Sequence, residues 1–168
     1  YQLKKYHFQT LTVGQEIPVS STSLSVTPFK LSHVNPYEST AFLIKSKNNY
    51  LLYLGDTGSD RLEKSTCLHL LWKTIAPLIQ NNQLKAIFIE TSFPNEQPDT
   101  ALFGHLTPKL LLEELQNLSK LAGEKALKGL PVIVTHLKPP TTNIIKIKEQ
   151  LKAATNELKI NFIFPEQG

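Results

Sequence analysis

Residues Tyr50–Asp60 read YLLYLGDTGSD. An apolar and aromatic run stops abruptly at Gly55-Asp56-Thr57-Gly58. That is the pattern of a buried strand handing one aspartate to a tight, exposed turn. Glycine on either side suits close approach of a metal or a reacting group to the carboxylate. Three histidines, His33, His105 and His136, stand at comparable places beside other strand-like runs. Function turns on whether these four residues converge.

Upstream of the turn the chain reads as strands. His7–Val13 alternates loosely before Gly14, with His7 an ordinary strand histidine. Ser23–Leu31 alternates too, and Pro28 marks an edge or a bend. It runs directly into Ser32-His33. Ser39–Lys45, the polar turn Lys47-Asn48-Asn49 and Tyr50–Leu54 make a hairpin whose second strand carries Asp56 at its end.

Downstream the pattern changes to strand and helix in alternation. Leu68, Leu71, Trp72, Ile75 and Ile79 form one face of a helix over Ser65–Gln80, capped by Ser65 or Thr66, with Pro77 kinking or shortening its last turn. His69 falls off that face, at the surface. Leu84–Ile89 is apolar enough for a strand buried on both faces and ends in Glu90-Thr91-Ser92. A polar loop, Phe93–Gly104, precedes His105. Thr107-Pro108 opens a helix with buried Leu111, Leu115 and Leu118, ending near Gly123. Pro131–Val134 is a strand ending in Thr135-His136. Thr141 or Thr142 caps a helix with Ile144, Ile147, Leu151 and Ala154 on its inner face, and Ile160–Phe164 closes as a strand. The whole is a layered α/β domain.

At 168 residues there is room for one domain or part-domain with a sizeable core. The net charge of +4 comes from scattered lysines without a dense basic block. Nucleic-acid binding is not implied, whereas an anionic substrate would be welcome. Arg61 is the sole arginine. The sole cysteine, Cys67, excludes an intrachain disulfide and a cysteine-based zinc site. It also slightly favours a reducing compartment, the cytoplasm ahead of a bacterial periplasm. No run is long enough to span a membrane. Methionine is absent, which leads to the expectation that the chain is a piece of a longer or processed product.

Asp56, Glu90 and His136 each end a strand, and His33 follows a fourth. In layered α/β domains such ends share one sheet edge, where sites form. Two imidazoles and a carboxylate suit zinc, manganese or iron better than calcium or magnesium. The plainer reading, a turn-capping aspartate among loop histidines, also stands on the residues alone.

Five segments together resemble the class II cyclic-nucleotide phosphodiesterases of the metallo-β-lactamase superfamily. They are SHVNPYESTAFLI, YLLYLGDTGSD, LKAIFIETSFPN, ALFGHLTP and LPVIVTHLKP, spanning about Phe29–Pro139. The resemblance implies a metallo-β-lactamase-like αββα fold of which this chain is the C-terminal half. It implies hydrolysis of 3′,5′-cyclic nucleotides, cAMP and also cGMP, at a binuclear centre of two divalent metal ions, zinc first with manganese or iron as alternatives. His33 would bind one metal, Asp56 would bridge both and His136 would bind the second. His105 would donate a proton, supported by Glu90. The family's His-x-His-x-Asp-His signature is absent, so the chain alone is expected to bind metal poorly and to be inactive. An apolar sheet face would then need a homodimer or the other half of the fold to cover it.

Three readings compete. A tRNA 3′-processing endonuclease of the same superfamily would need a basic RNA-gripping arm, which is not evident. Asp56-Thr57-Gly58-Ser59 also spells an aspartic-protease motif, but such an enzyme needs a second copy. A degenerate, non-catalytic domain would account for the missing signature.

Overall fold

The computed structural model describes residues 9–154 and 158–166, so the expectation for His7 lies outside the described residues. The strands are β1 (Ile17–Pro18), β2 (Leu24–Ser32), β3 (Glu38–Ser46), β4 (Asn49–Leu54), β5 (Leu84–Glu90), β6 (Pro131–Thr135) and β7 (Asn161–Ile163). The helices are α1 (Asp60–Glu63), α2 (Cys67–Gln80), α3 (Pro108–Ala122) and α4 (Thr141–Ala154), with a 3-10 turn at Asp99–Ala101. The strands form one sheet in sequence order. β1 to β4 are antiparallel neighbours and β4 to β7 are parallel. Parallel strands laid down in one direction with right-handed crossovers place all their helices on one face. Accordingly α2 packs on α3, and α3 on α4.

The core lies between that helix layer and one sheet face. Leu52 and Leu54 on β4, Ile87 and Ile89 on β5, and Val132 and Val134 on β6 are buried there. They meet Leu68, Leu71, Trp72 and Ile75 of α2, and Leu111, Leu115 and Leu118 of α3, as the helical periodicity predicts. On the opposite sheet face the register aligns Pro28, Phe42, Tyr53, Phe88, Ile133 and Ile163 in one row from β2 to β7. Tyr53 is 46% exposed and Ile163 40%. The expectation that Leu84–Ile89 is buried on both faces is therefore not met: Lys85 is exposed and Phe88 half-buried, because this side carries no second layer among the described residues.

Other departures are local. Gln9–Val13 is not a strand, and the short β1 follows instead. Pro28 lies beyond the two residues that β1 pairs, so β2 is an edge there, as its proline requires. Pro77 does not shorten α2, which runs on to Gln80. Pro77 and Lys73, whose carbonyl loses its partner, both face solvent, so water can satisfy it. Neither Ser65 nor Thr66 caps α2. Asp60 does, its Oδ1 accepting from Leu68 N at 3.1 Å and its Oδ2 from His69 N at 2.8 Å. α4 begins at Thr141 with the Pro140 carbonyl accepting from Asn143, and only Ile147 and Leu151 of its face are fully buried.

Candidate metal and proton-transfer site

β2 is antiparallel to β3, which is antiparallel to β4, so β2 points the same way as β4, β5 and β6. Their C-terminal ends share one edge, which is why His33, Asp56, Glu90 and His136 arrive together. One ligating atom from each of Asp56, Glu90, His105 and His136 falls within 4.8 Å of the other three. His33 lies outside that group but adjoins it. Its ring packs edge-on against His105, with centroids 4.8 Å apart, and its Nδ1 bonds to the Gly104 carbonyl at 3.0 Å.

The GDTGSD turn explains itself residue by residue. Asp56 presents its carboxylate toward solvent, with Oδ1 3.2 Å from His136 Nδ1. Thr57 N donates to Glu90 Oε1 at 3.0 Å. A Cβ on Gly58 would lie 2.5 Å from Glu63 Cγ, so glycine makes room for the Glu63 side chain. Glu63 Oε2 in turn accepts from Ser32 Oγ and from Asn35 N, bracing the loop that carries His33. Ser59 Oγ accepts from Leu62 N, capping α1, and Asp60 caps α2.

Glu90, 1% exposed, is saturated. Its Oε1 accepts from Thr57 N and from His105 Nδ1 at 2.6 Å. Its Oε2 accepts from Ser92 Oγ at 2.6 Å and from Leu106 N at 3.3 Å. A carboxylate filled this way orients an imidazole and has little left to offer a metal. His105 Nδ1 therefore carries a hydrogen and Nε2 is the acceptor, toward which Lys138 Nζ donates at 2.7 Å. Ser92 Oγ also meets His136 Nδ1 at 3.0 Å. His136 sits at φ 55°, in the left-handed region. A β-strand ending in such a residue is strained, and strain of this kind collects at functional sites.

The donor chemistry fits a divalent metal. Asp56 and His136 are adjacent and open to solvent, whereas Glu90 and His105 are committed to each other. Asp56 and His136 are thus the candidates to hold a metal, with His33 Nε2 at the margin. The cluster pairs one aspartate with histidines at the edge of a mixed α/β sheet, unlike the twin aspartates that a protease needs. The sequence reading missed Ser92, Glu63 and Lys138 as site residues. Ser92 and Lys138 stand within the quoted ETSF and THLKP segments, but only the fold shows what they touch. Glu63 carries no local signal.

The family model described as "cAMP phosphodiesterases class-II" matches residues 1–168, the full chain. The chain belongs to this family. A 3′,5′-cyclic-nucleotide phosphodiesterase of Aliivibrio fischeri is 43% identical over 173 residues, which cover all of this chain and 52% of the relative. The solved structure of unliganded yeast PDE1 superposes with a TM-score of 0.84 at 28% identity, over 94% of this chain and 48% of that one. YhfI of Bacillus subtilis, a metallo-β-lactamase fold protein, gives 0.59 at 17% identity over 94% of this chain, a likeness of fold alone. The chain spans about half the length of the curated relatives it matches. The expected half of a metallo-β-lactamase-like fold agrees with that coverage.

Proposed function

We propose that the whole protein hydrolyses 3′,5′-cyclic nucleotides, cAMP first, to 5′-nucleotides. One observation carries the reading: Glu90, saturated by four donors, pins His105 beside the open Asp56–His136 pair. A proton-handling imidazole next to a candidate metal-binding pair suits phosphoester cleavage. The names of the relatives give the substrate class.

Asp56 and His136, with His33, would hold the metal, and the resemblance supports two ions with Asp56 shared and zinc as their identity. Bound there, the metal supplies Lewis acidity that makes water a nucleophile at neutral pH and offsets phosphoryl charge. A water oxygen bonds to phosphorus as the bond to the ribose 3′-oxygen breaks. His105 Nε2, bare at rest, first takes up the proton that the attacking water sheds, and the imidazolium so formed, steadied by Glu90, passes that proton from Nε2 to the leaving alkoxide. The relatives possess as much chain again, and a second layer built from such chain would cover the apolar sheet face.

The test is metal-dependent hydrolysis of 3′,5′-cyclic AMP and cyclic GMP by the full-length protein beside His136→Ala. We expect turnover with zinc or manganese and its loss in the variant. A folded, metal-bound protein that turns over neither nucleotide would overturn the substrate; a His136→Ala variant that keeps full activity and full metal content would overturn the site.

A further inference from the structure

Lys138 aims its ammonium into the site. Its Nζ lies 2.7 Å from His105 Nε2 and 4.9 Å from the centre of the Phe93 ring. The Phe93 ring itself packs edge-on against His105, with centroids 5.9 Å apart. Among the described residues no carboxylate comes within ion-pair distance of this ammonium. Its neighbours are a neutral acceptor nitrogen and an aromatic face, which hold a cation in place without cancelling its charge. The single arginine cannot serve instead, because Arg61 is spent on Glu113 at 2.9 and 3.2 Å. The Glu90 carboxylate that orients His105 already has each oxygen doubly occupied.

We infer that Lys138 is a substrate-binding residue that grips the phosphoryl oxygens of the bound phosphodiester. The inference rests on the phosphoesterase reading above. In the absence of an anion the ammonium donates to His105 Nε2. A phosphoryl oxygen is the stronger acceptor, since it carries charge. Binding therefore draws the ammonium off the imidazole and frees Nε2 to take up the proton that it then passes to the leaving oxygen. Phe93, whose ring the ammonium faces at 4.9 Å, keeps the lysine head beside the site. The device couples substrate arrival to release of the proton-handling nitrogen, and it gives a site poor in arginine its anion contact. A monoanionic diester needs no more than such a point charge beside the metal.

Lys138→Met keeps a flexible apolar stem and removes the charge; Lys138→Gln is a second neutral variant, and Lys138→Arg restores the charge. All are made in the full-length, metal-loaded protein, with folding verified by thermal unfolding. Two quantities are read: KM and kcat for cyclic AMP, and the affinity for inorganic phosphate by calorimetry. In the neutral variants we expect KM to rise and phosphate affinity to fall together, on the order of tenfold to a hundredfold. The loss should sit mainly in KM, and Lys138→Arg should recover most of it. Unchanged KM and phosphate affinity would overturn the assignment. So would a fall in kcat with both affinities intact, which would make Lys138 a support for His105 alone. If the unmodified protein cleaves no cyclic nucleotide, the phosphodiesterase reading fails. The phosphate affinities of Lys138→Met and the unmodified protein still decide on the cation by themselves.

Discussion

Single positions in this site are set by what lies against them rather than by their own chemistry. Gly104 is the sharpest case. Its φ of +74° favours glycine, and a Cβ there would lie 2.3 Å from Val34 N and 2.9 Å from His33 Nδ1. Backbone cannot yield as a flexible side-chain tip can. Gly129 has nearly the same φ, +76°, with nothing within 4 Å. Gly129→Ala should therefore cost only the backbone penalty, about 1 kcal/mol, whereas Gly104→Ala should cost at least about 2 kcal/mol. Urea unfolding of the two variants measures the gap, and equal costs would show that the crowding at Gly104 is relieved for free. Asp56, Glu90 and His136 were legible in the sequence because each directly follows an apolar strand, and strand ends are what a parallel sheet gathers. Glu63 and Lys138 were not legible. Their roles depend on partners 28 to 33 positions away, brought near only by the fold.

At the scale of elements, the turn after β4 organises two helices as well as a ligand. Asp60 caps α2, and its own backbone N–H donates to Glu114 Oε1 on α3 at 3.0 Å. Trp72 Nε1 donates to the other Glu114 oxygen at 3.3 Å. One buried carboxyl thus ties α1, α2 and α3 together. Burial pushes the Glu114 carboxyl above its ordinary value of 4.5, against the opposing pull of Trp72 and of the Asp60 N–H. The folded state therefore holds this proton more tightly than the unfolded one. The associated stability is full below 4.5 and is lost as pH rises through the elevated folded value. Relative to Glu114→Gln, the thermal midpoint of the unmodified protein should fall as pH rises across that window. A difference that is flat, or that runs the other way, would show that the pair of donors outweighs burial. Helix faces were readable from their 3.6-residue period, but the cap was not. A hydroxyl just before the helix was the local expectation, and a carboxylate from an earlier helix took the place.

For the molecule as a whole, the consecutive strand order sends all helices to one side and leaves a row of apolar residues on the other. Tyr53 and Ile163 stand in that row. In the 168-residue chain, this face should drive concentration-dependent association and bind an apolar dye. Tyr53→Lys with Ile163→Lys should weaken both while shifting stability by no more than about 1 kcal/mol. Sedimentation of both proteins checks this, and an unmodified chain that stays monomeric and dye-silent at high concentration would contradict it. The α/β class and its strand order could be read from the alternation of apolar runs and helical faces. The solvent exposure of one sheet face could not, because an apolar run looks alike whether one side or both are covered. The chain also carries its own optical probe. Trp72, the single tryptophan, is fully buried between helix layer and sheet and bonded to Glu114. Its emission should report melting of the helix layer and stay blind to whatever settles on the opposite face, so that fluorescence and light scattering read the two sides of the sheet separately.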